Sequence, residues 1–119
     1  TNDAPSAVTR LTDMGIEPFL LSSSLLGVLA QRLVRKICTH CQGSGCPHCA
    51  QTGYAGRTGI FELLITDDAL RAQIHAQQSE ASIREAAKSG GMVLMREDGE
   101  RLVQLGITKA EELLRVTRD

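Results

Sequence analysis

The sequence predicts an α+β chain in which a cysteine-rich loop module separates a mixed apolar region from a compact set of short helices. Three observations carry that prediction. All four cysteines of the chain stand within twelve residues, as Cys38-Thr-His-Cys41-Gln-Gly-Ser-Gly-Cys46-Pro-His-Cys49. Directly after them, Ile60, Phe61, Leu63 and Leu64 make a strand-like apolar run over 58–65. From residue 66 onward, apolar residues at helical spacing alternate with capping residues and glycines.

Taken in order, Ser6 to Met14 reads as a short helix, because Pro5 suits a first turn, Val8 and Leu11 lie three apart and Gly15 is a good stop. Ile16-Glu-Pro18 breaks that pattern. Phe19 to Ile37 is densely apolar, and Leu25, Leu29, Leu33 and Ile37 recur every four residues. That periodicity favours helix, although Gly27 interrupts it and Val28 to Val34 also reads as a buried strand. Residues 38–58 hold the cysteines together with Gly43, Gly45, Gly53, Gly56 and Pro47, a loop composition. Thr66 or Asp67 caps a helix carrying Leu70 and Ile74. Ser82-Ile-Arg-Glu85 fits a capping box, Ser79 offers an earlier start, and Gly90-Gly91 ends that helix. A further helix runs from Met92 to Leu105, with Gly106 as its stop, and Met92 and Met95 read as core packing. Thr108-Lys-Ala-Glu111 fits a second capping box, opening a last helix with Leu113, Leu114 and Val116. None of these helices is long enough to be stable alone, so each must pack its apolar stripe on others.

Composition narrows the function classes. The chain has 119 residues, is 42% hydrophobic and contains no Trp, so its core is aliphatic. Its net charge of −1 argues against nucleic acid as the main partner, since phosphate binding needs clustered basic charge. The charge is unevenly spread, at +2 over residues 1–58 and −3 over 59–119. No apolar run approaches the roughly 20 residues that span a bilayer. The chain opens on Thr1 without a signal peptide and reads as a piece of something longer.

Two Cys-x-x-Cys knuckles bring four thiolates close enough to wrap one soft cation, so Cys38, Cys41, Cys46 and Cys49 are the candidate ligands of a structural zinc ion. Gly43 and Gly45 permit the chain reversal that returns Cys46 and Cys49 to the metal. An iron–sulfur cluster and two disulfides are the alternatives, and closely paired thiols without a secretion signal favour metal. His40 and His48 are expected at the surface. Four sulfurs close the coordination shell, which excludes a catalytic metal with an open position.

Two families share parts of this pattern. Cys38 to Gly45 fits the Cys-x-x-Cys-x-Gly-x-Gly repeat of DnaJ-type zinc modules, but Cys46 to Gly53 has Gln51 where the first glycine belongs, and the helical flanks do not match. A second resemblance runs over nearly the whole chain. Thr1-Asn2 with Ala7 to Leu20 resembles the region after the histidine box of type II secretion and type IV pilus assembly ATPases. Ser22 to Arg35 resembles the run leading to that family's tetracysteine insert, and Gly53-Tyr-Ala-Gly-Arg-Thr-Gly-Ile-Phe-Glu-Leu-Leu64 resembles the block that follows it. Thr108 to Arg118 resembles the C-terminus of the type II secretion members.

This resemblance implies the end of a RecA-like nucleotide-binding domain over residues 1–37, a tetracysteine zinc insert over 38–57, and a C-terminal strand plus helical domain over 58–119. It places a helix over about Pro18 to Leu26 and a strand over Val28 to Val34, making Gly27 a junction. The parent it implies is a hexameric, cytoplasmic motor peripheral to the inner membrane, which binds ATP and Mg, contacts its own subunits and membrane-platform proteins, and powers pseudopilus assembly. The two cysteine pairs are often further apart in that family than the four residues found here. No Gly-x-x-x-x-Gly-Lys-Ser/Thr loop and no Walker B-like acidic strand occur in this sequence, and the histidine of the box would precede Thr1, so the segment is not expected to hydrolyse ATP alone. Arg32 is the candidate contact to nucleotide or a neighbouring subunit. Arg35 and Arg57 share that possibility, against solvated charge or local pairing, with Glu62 a partner for Arg57. Its rivals are a free-standing zinc adaptor that binds a protein partner and, more distantly, a redox enzyme using the cysteines.

Overall fold

The computed structural model describes residues 3–118, so the Thr1-Asn2 start of the first family block lies outside the described residues. The order of elements is α1 (Ala4–Asp13), α2 (Pro18–Ser24), β1 (Gly27–Ile37), a single 3-10 turn (Pro47–Cys49), β2 (Tyr54–Ile65), α3 (Asp68–His75), α4 (Glu80–Ser89), α5 (Met95–Gln104) and α6 (Ala110–Thr117). β1 and β2 form a two-stranded sheet. Thr66 N donates to Leu26 O at one end (3.0 Å) and Cys38 N to Gly53 O at the other (2.9 Å), so the strands run antiparallel and the cysteines occupy the hairpin loop.

The chain forms two compact units, Thr1–Ala30 with Glu62–Leu94, and Gln31–Phe61 with Met95–Asp119. In the first, Val8, Leu21, Leu64, Leu70, Ile74, Ile83 and Ala87 form one aliphatic core to which α1–α4 contribute. Its helix starts are well capped. Asp3 Oδ1 accepts from Ser6 N (2.9 Å) while Ser6 Oγ accepts from Asp3 N (3.1 Å), a reciprocal capping box. Asp67 caps α3 and Ser79 caps α4, so the earlier of the two starts is the one used. Arg84 joins Asp3 (2.7 Å) and Glu80 (3.2 Å), tying α4 to the cap of α1.

Three expectations need correction. Periodicity favours helix over 19–37, but the stretch is helical only at its start, in Pro18–Ser24, and β1 takes Gly27–Ile37, close to the helix and strand that the resemblance implies. A spacing of four is also a multiple of the strand repeat of two, so Leu25, Leu29, Leu33 and Ile37 could not separate the two forms. Glu62 does not serve Arg57; it is buried and its Oε1 accepts from Ala4 N (3.0 Å). Finally, α6 is capped by Lys109 without a side-chain bond, because the Thr108 hydroxyl donates instead to Arg35 O (2.7 Å).

In the second unit, two carboxylates close the outer edges of the ribbon. Phe61 N of β2 donates to Asp98 Oδ2 of α5 (2.9 Å) and Arg35 N of β1 donates to Glu112 Oε2 of α6 (2.8 Å). Ile37 N continues the β1 edge by donating to Ile107 O (2.8 Å). These contacts satisfy edge groups that would otherwise invite pairing with another chain. α5 and α6 pack directly on each other, with buried Gly99 against the Leu113 side chain. A Cβ at position 99 would collide with Leu113, so Gly99→Ala is expected to cost about 1–3 kcal/mol through overpacking. Thermal unfolding checks this, and Leu113→Ala in the same chain should recover part of the loss.

Candidate metal centre

The hairpin loop gathers all four thiols. Their Sγ atoms lie within 4.8 Å of one another, with Cys38–Cys46 at 3.9 Å, Cys41–Cys49 at 3.8 Å and Cys46–Cys49 at 3.7 Å. A tetrahedron with zinc–sulfur bonds near 2.3 Å has edges of about 3.8 Å. The donor set and its spacing therefore fit a tetrahedral thiophilic ion.

The geometry arises from an eight-residue echo. Cys38-Thr-His-Cys41-Gln-Gly-Ser-Gly45 and Cys46-Pro-His-Cys49-Ala-Gln-Thr-Gly53 match at both cysteines, the histidine, the hydroxyl residue and the final glycine. The backbone repeats as well: φ is +55° at Gln42 and +56° at Ala50, +89° at Gly43 and +64° at Gln51, +102° at Gly45 and +82° at Gly53. Gly45 N donates to Cys41 Sγ (3.1 Å) as Gly53 N does to Cys49 Sγ (3.2 Å). The Ser44 and Thr52 hydroxyls each donate to the carbonyl of the preceding cysteine at 2.7 Å. Gln51 thus adopts the left-handed backbone that glycine takes more easily. The four-residue gap between the cysteine pairs is the length at which one octet follows the other. The sequence reading found no repeat, because the second octet has Gln51 where the first has Gly43.

Electrostatics divide the thiols. At Cys49 burial is the largest influence and acts upward, yet the backbone N–H groups of Cys46 and Gly53 and the Cys46 and Cys41 thiols hold it down at about 6. At Cys46 the backbone hydrogen bond from Cys49 is largest and acts downward, but burial and the Cys49 and Cys41 thiols push it up to about 11. Four thiols this close do not all ionise unaided, and a central divalent cation is what allows it. One such ion with four thiolates is a dianion. Accordingly, no Asp or Glu occurs anywhere in residues 18–61.

His40 and His48, equivalent in the octets, are exposed, with their ring centroids 3.7 Å apart and the rings tilted by 38°. Lys109 Nζ donates to Gly43 O (2.8 Å). Arg32 Nη1 donates to Val116 O, one of the last carbonyls of α6, which have no helical partner. Arg35 pairs with Glu112 (3.0 Å) and its guanidinium lies 4.2 Å over the Tyr54 ring. Arg57 is exposed and makes no ion pair among the described residues. Sequence reasoning did not single out Glu112 or Lys109, whose partners are 77 and 66 residues away. No local pattern announces such pairs.

A hairpin whose loop closes four thiols into one cluster marks a protein with a structural metal centre rather than a catalytic one. The family model described as Type II/IV secretion system protein matches residues 1–115. The type II secretion system protein HxcR of Pseudomonas aeruginosa is 61% identical over all of this chain and 27% of its own length. The type II secretion system ATPase E of Vibrio cholerae is 45% identical, over 100% and 28%, and the type IV pilus assembly ATPase PilB of Thermus thermophilus 43% identical, over 96% and 16%. The solved pilus retraction motor PilT with bound ADP superposes with a TM-score of 0.70 over the whole chain and 31% of its own, at 24% identity, a likeness of fold. The chain belongs to the type II/IV secretion system protein family. It spans little more than a quarter of the length of those type II relatives. The alignments to HxcR and the Vibrio protein run over 127 and 144 positions, so both relatives carry extra residues within this 119-residue segment. Among the described residues, no helix is long and apolar enough to cross a membrane.

Proposed function

We propose that this chain is the C-terminal part of an ATPase that powers type II protein secretion, and that the segment contributes a structural zinc site and a helical domain bracing the motor core or docking a partner. Residues 1–37 end the RecA-like core in this reading, 38–57 form the metal insert and 58–119 the C-terminal strand and helices. The 45% identity to the type II secretion system ATPase E of Vibrio cholerae supports the motor role of the parent. The observation that carries the segment's own role is the closure of four thiols around one tetrahedral position. Cys38, Cys41, Cys46 and Cys49 would hold zinc, which here organises the loop and offers no open coordination position for chemistry. The parent binds ATP and Mg through groups absent from these 119 residues, works as a hexamer in the cytoplasm, and reaches the inner membrane through platform proteins.

The test is metal content with a spectroscopic probe. Purified chain should carry one zinc per molecule, and cobalt substitution should give intense thiolate-to-metal charge transfer with tetrahedral ligand-field bands. Metal-free, fully folded protein with four titratable thiols would refute the site; visible iron–sulfur absorption would replace zinc by a cluster. A reading frame without a phosphate loop upstream of Thr1 would favour a free-standing zinc adaptor instead.

The planar guanidinium of Arg32 suits phosphate and carboxylate alike. In the assembled parent we assign it contact with nucleotide or an adjacent subunit. Arg32→Ala is then expected to lower steady-state ATP hydrolysis by roughly tenfold, the worth of about one charged hydrogen bond. Normal turnover in a normally assembled variant would reduce Arg32 to a cap for α6.

A further inference from the structure

We propose that Lys109 makes the seating of the C-terminal helix α6 depend on metal occupancy. The inference rests on the reading of the four cysteines as a metal site and adds what that site does to the rest of its unit.

Lys109 occupies the N-cap position of α6, where Ser, Thr, Asp or Asn would ordinarily accept from a helix N–H. Its side chain makes no such bond. It reaches instead into the hairpin loop, with Nζ 2.8 Å from Gly43 O and 5.3 Å from the centre of the Tyr54 ring. The fit is close, because a Cβ at Gly43 would stand 2.8 Å from Lys109 Cε. Gly43 lies two residues past Cys41 in the first octet turn, at φ +89°. Its carbonyl is also pressed by the second octet, 2.5 Å from where a Cβ on Gly53 would sit. Gly53 N in turn donates to Cys49 Sγ. The carbonyl that receives Lys109 is therefore placed by both knuckles at once.

Little else holds that carbonyl. Between Cys38 and Gly53 the only regular element is the 3-10 turn Pro47–Cys49, and the only buried residues are Cys38, Cys49 and Gly53 themselves. Apolar packing cannot fix the loop, so the sulfur–metal bonds must. With the ion present, the loop backbone is fixed and Gly43 O is a positioned acceptor for the Lys109 ammonium. Without it the acceptor is no longer positioned, and the first turn of α6 loses one of its two holds, the other being Glu112 on Arg35. Metal occupancy is thereby converted into the position of a helix, with Lys109 as the positioning residue.

Hydrogen exchange of the 119-residue chain, zinc-loaded and chelator-treated, tests this. Amides of α6 are expected to exchange at least tenfold faster without metal, while those of α1–α4 change less than twofold. Lys109→Met, which keeps the stem and removes the ammonium, should bind cobalt with an unaltered spectrum yet show α6 exchange near the metal-free rate. Lys109→Arg should restore protection and provides the folded control. Equal α6 protection in loaded and metal-free protein would overturn the proposal, as would a Lys109→Met variant whose α6 still responds to metal. Failure of the metal site itself is separately visible, because no thiolate-to-cobalt bands would appear in the unsubstituted chain.

Discussion

Replacing Cys46 and Cys49 by serine, or stripping the metal, is expected to unfold residues 38–58 around the hairpin loop while α1–α4 remain folded. The loop has no apolar core of its own, as its buried residues are two cysteines and a glycine. Structural zinc contributes apparent binding energies of about 10–16 kcal/mol in small peptides at neutral pH, nearly all of which appears as folding energy. A loop of this size, with six residues at positive φ between Gln42 and Gly53, has no other source of comparable stabilisation. The first unit is differently built. Its core draws Val8, Leu21, Leu64, Leu70, Ile74 and Ile83 from α1–α4 and β2, and its helix caps at Asp3, Asp67 and Ser79 are local. Far-ultraviolet circular dichroism should therefore keep most of its helical signal after chelation, with limited proteolysis cutting first between Cys38 and Arg57. Collapse of the entire helical signal would show that the metal organises both units.

How much of this was readable beforehand depends on the range of each interaction. The four ligands were legible because Cys-x-x-Cys spacing is a local constraint that the loop must satisfy. Helix ends were legible where caps are local: Asp67 before α3, Ser79 before α4, Gly15 after α1. The strand β1 was ambiguous by periodicity, and only the family resemblance of Ser22 to Arg35 separated it from helix; even then the strand extends three residues beyond Val34. Thr108 misled because a hydroxyl can serve a helix cap or a distant carbonyl equally well, and Arg35 O is the acceptor it found. Glu112 was unreadable for a stronger reason. Glu111-Glu112 in a first helical turn is adequately explained by the helix dipole, so nothing signalled that one of the two would be buried against a strand edge.

That buried carboxylate gives the second large effect: Glu112→Gln is expected to destabilise the second unit by about 2 kcal/mol, the loss of hydrogen bonds to a charged group. The Glu112 side chain is 0% exposed, whereas its partners Arg35 and Arg115 are 43% and 59% exposed and can rehydrate when abandoned. It accepts from Arg35 N, Nε and Nη2 and from Arg115 Nε and Nη2 at 2.8–3.1 Å. The Arg115 hydrogen bond is the largest influence on its acidity; burial opposes it, Arg35 reinforces it, and the carboxyl is held far below its ordinary 4.5. A carboxyl depressed by folding contributes stability that is fully present above its unfolded value, near pH 4.5, and is lost progressively as pH falls toward its folded value. The melting temperature of the unsubstituted chain should thus exceed that of Glu112→Gln by roughly 10 °C at pH 7, and the gap should narrow below about pH 4.5. Arg115→Ala, which removes only an exposed partner, should cost less than about 1 kcal/mol. A gap that stays constant from pH 7 to pH 3 would mean that the Glu112 contacts act by shape alone. A gap that closes with acid identifies the carboxylate charge as what holds α6 to the edge of β1.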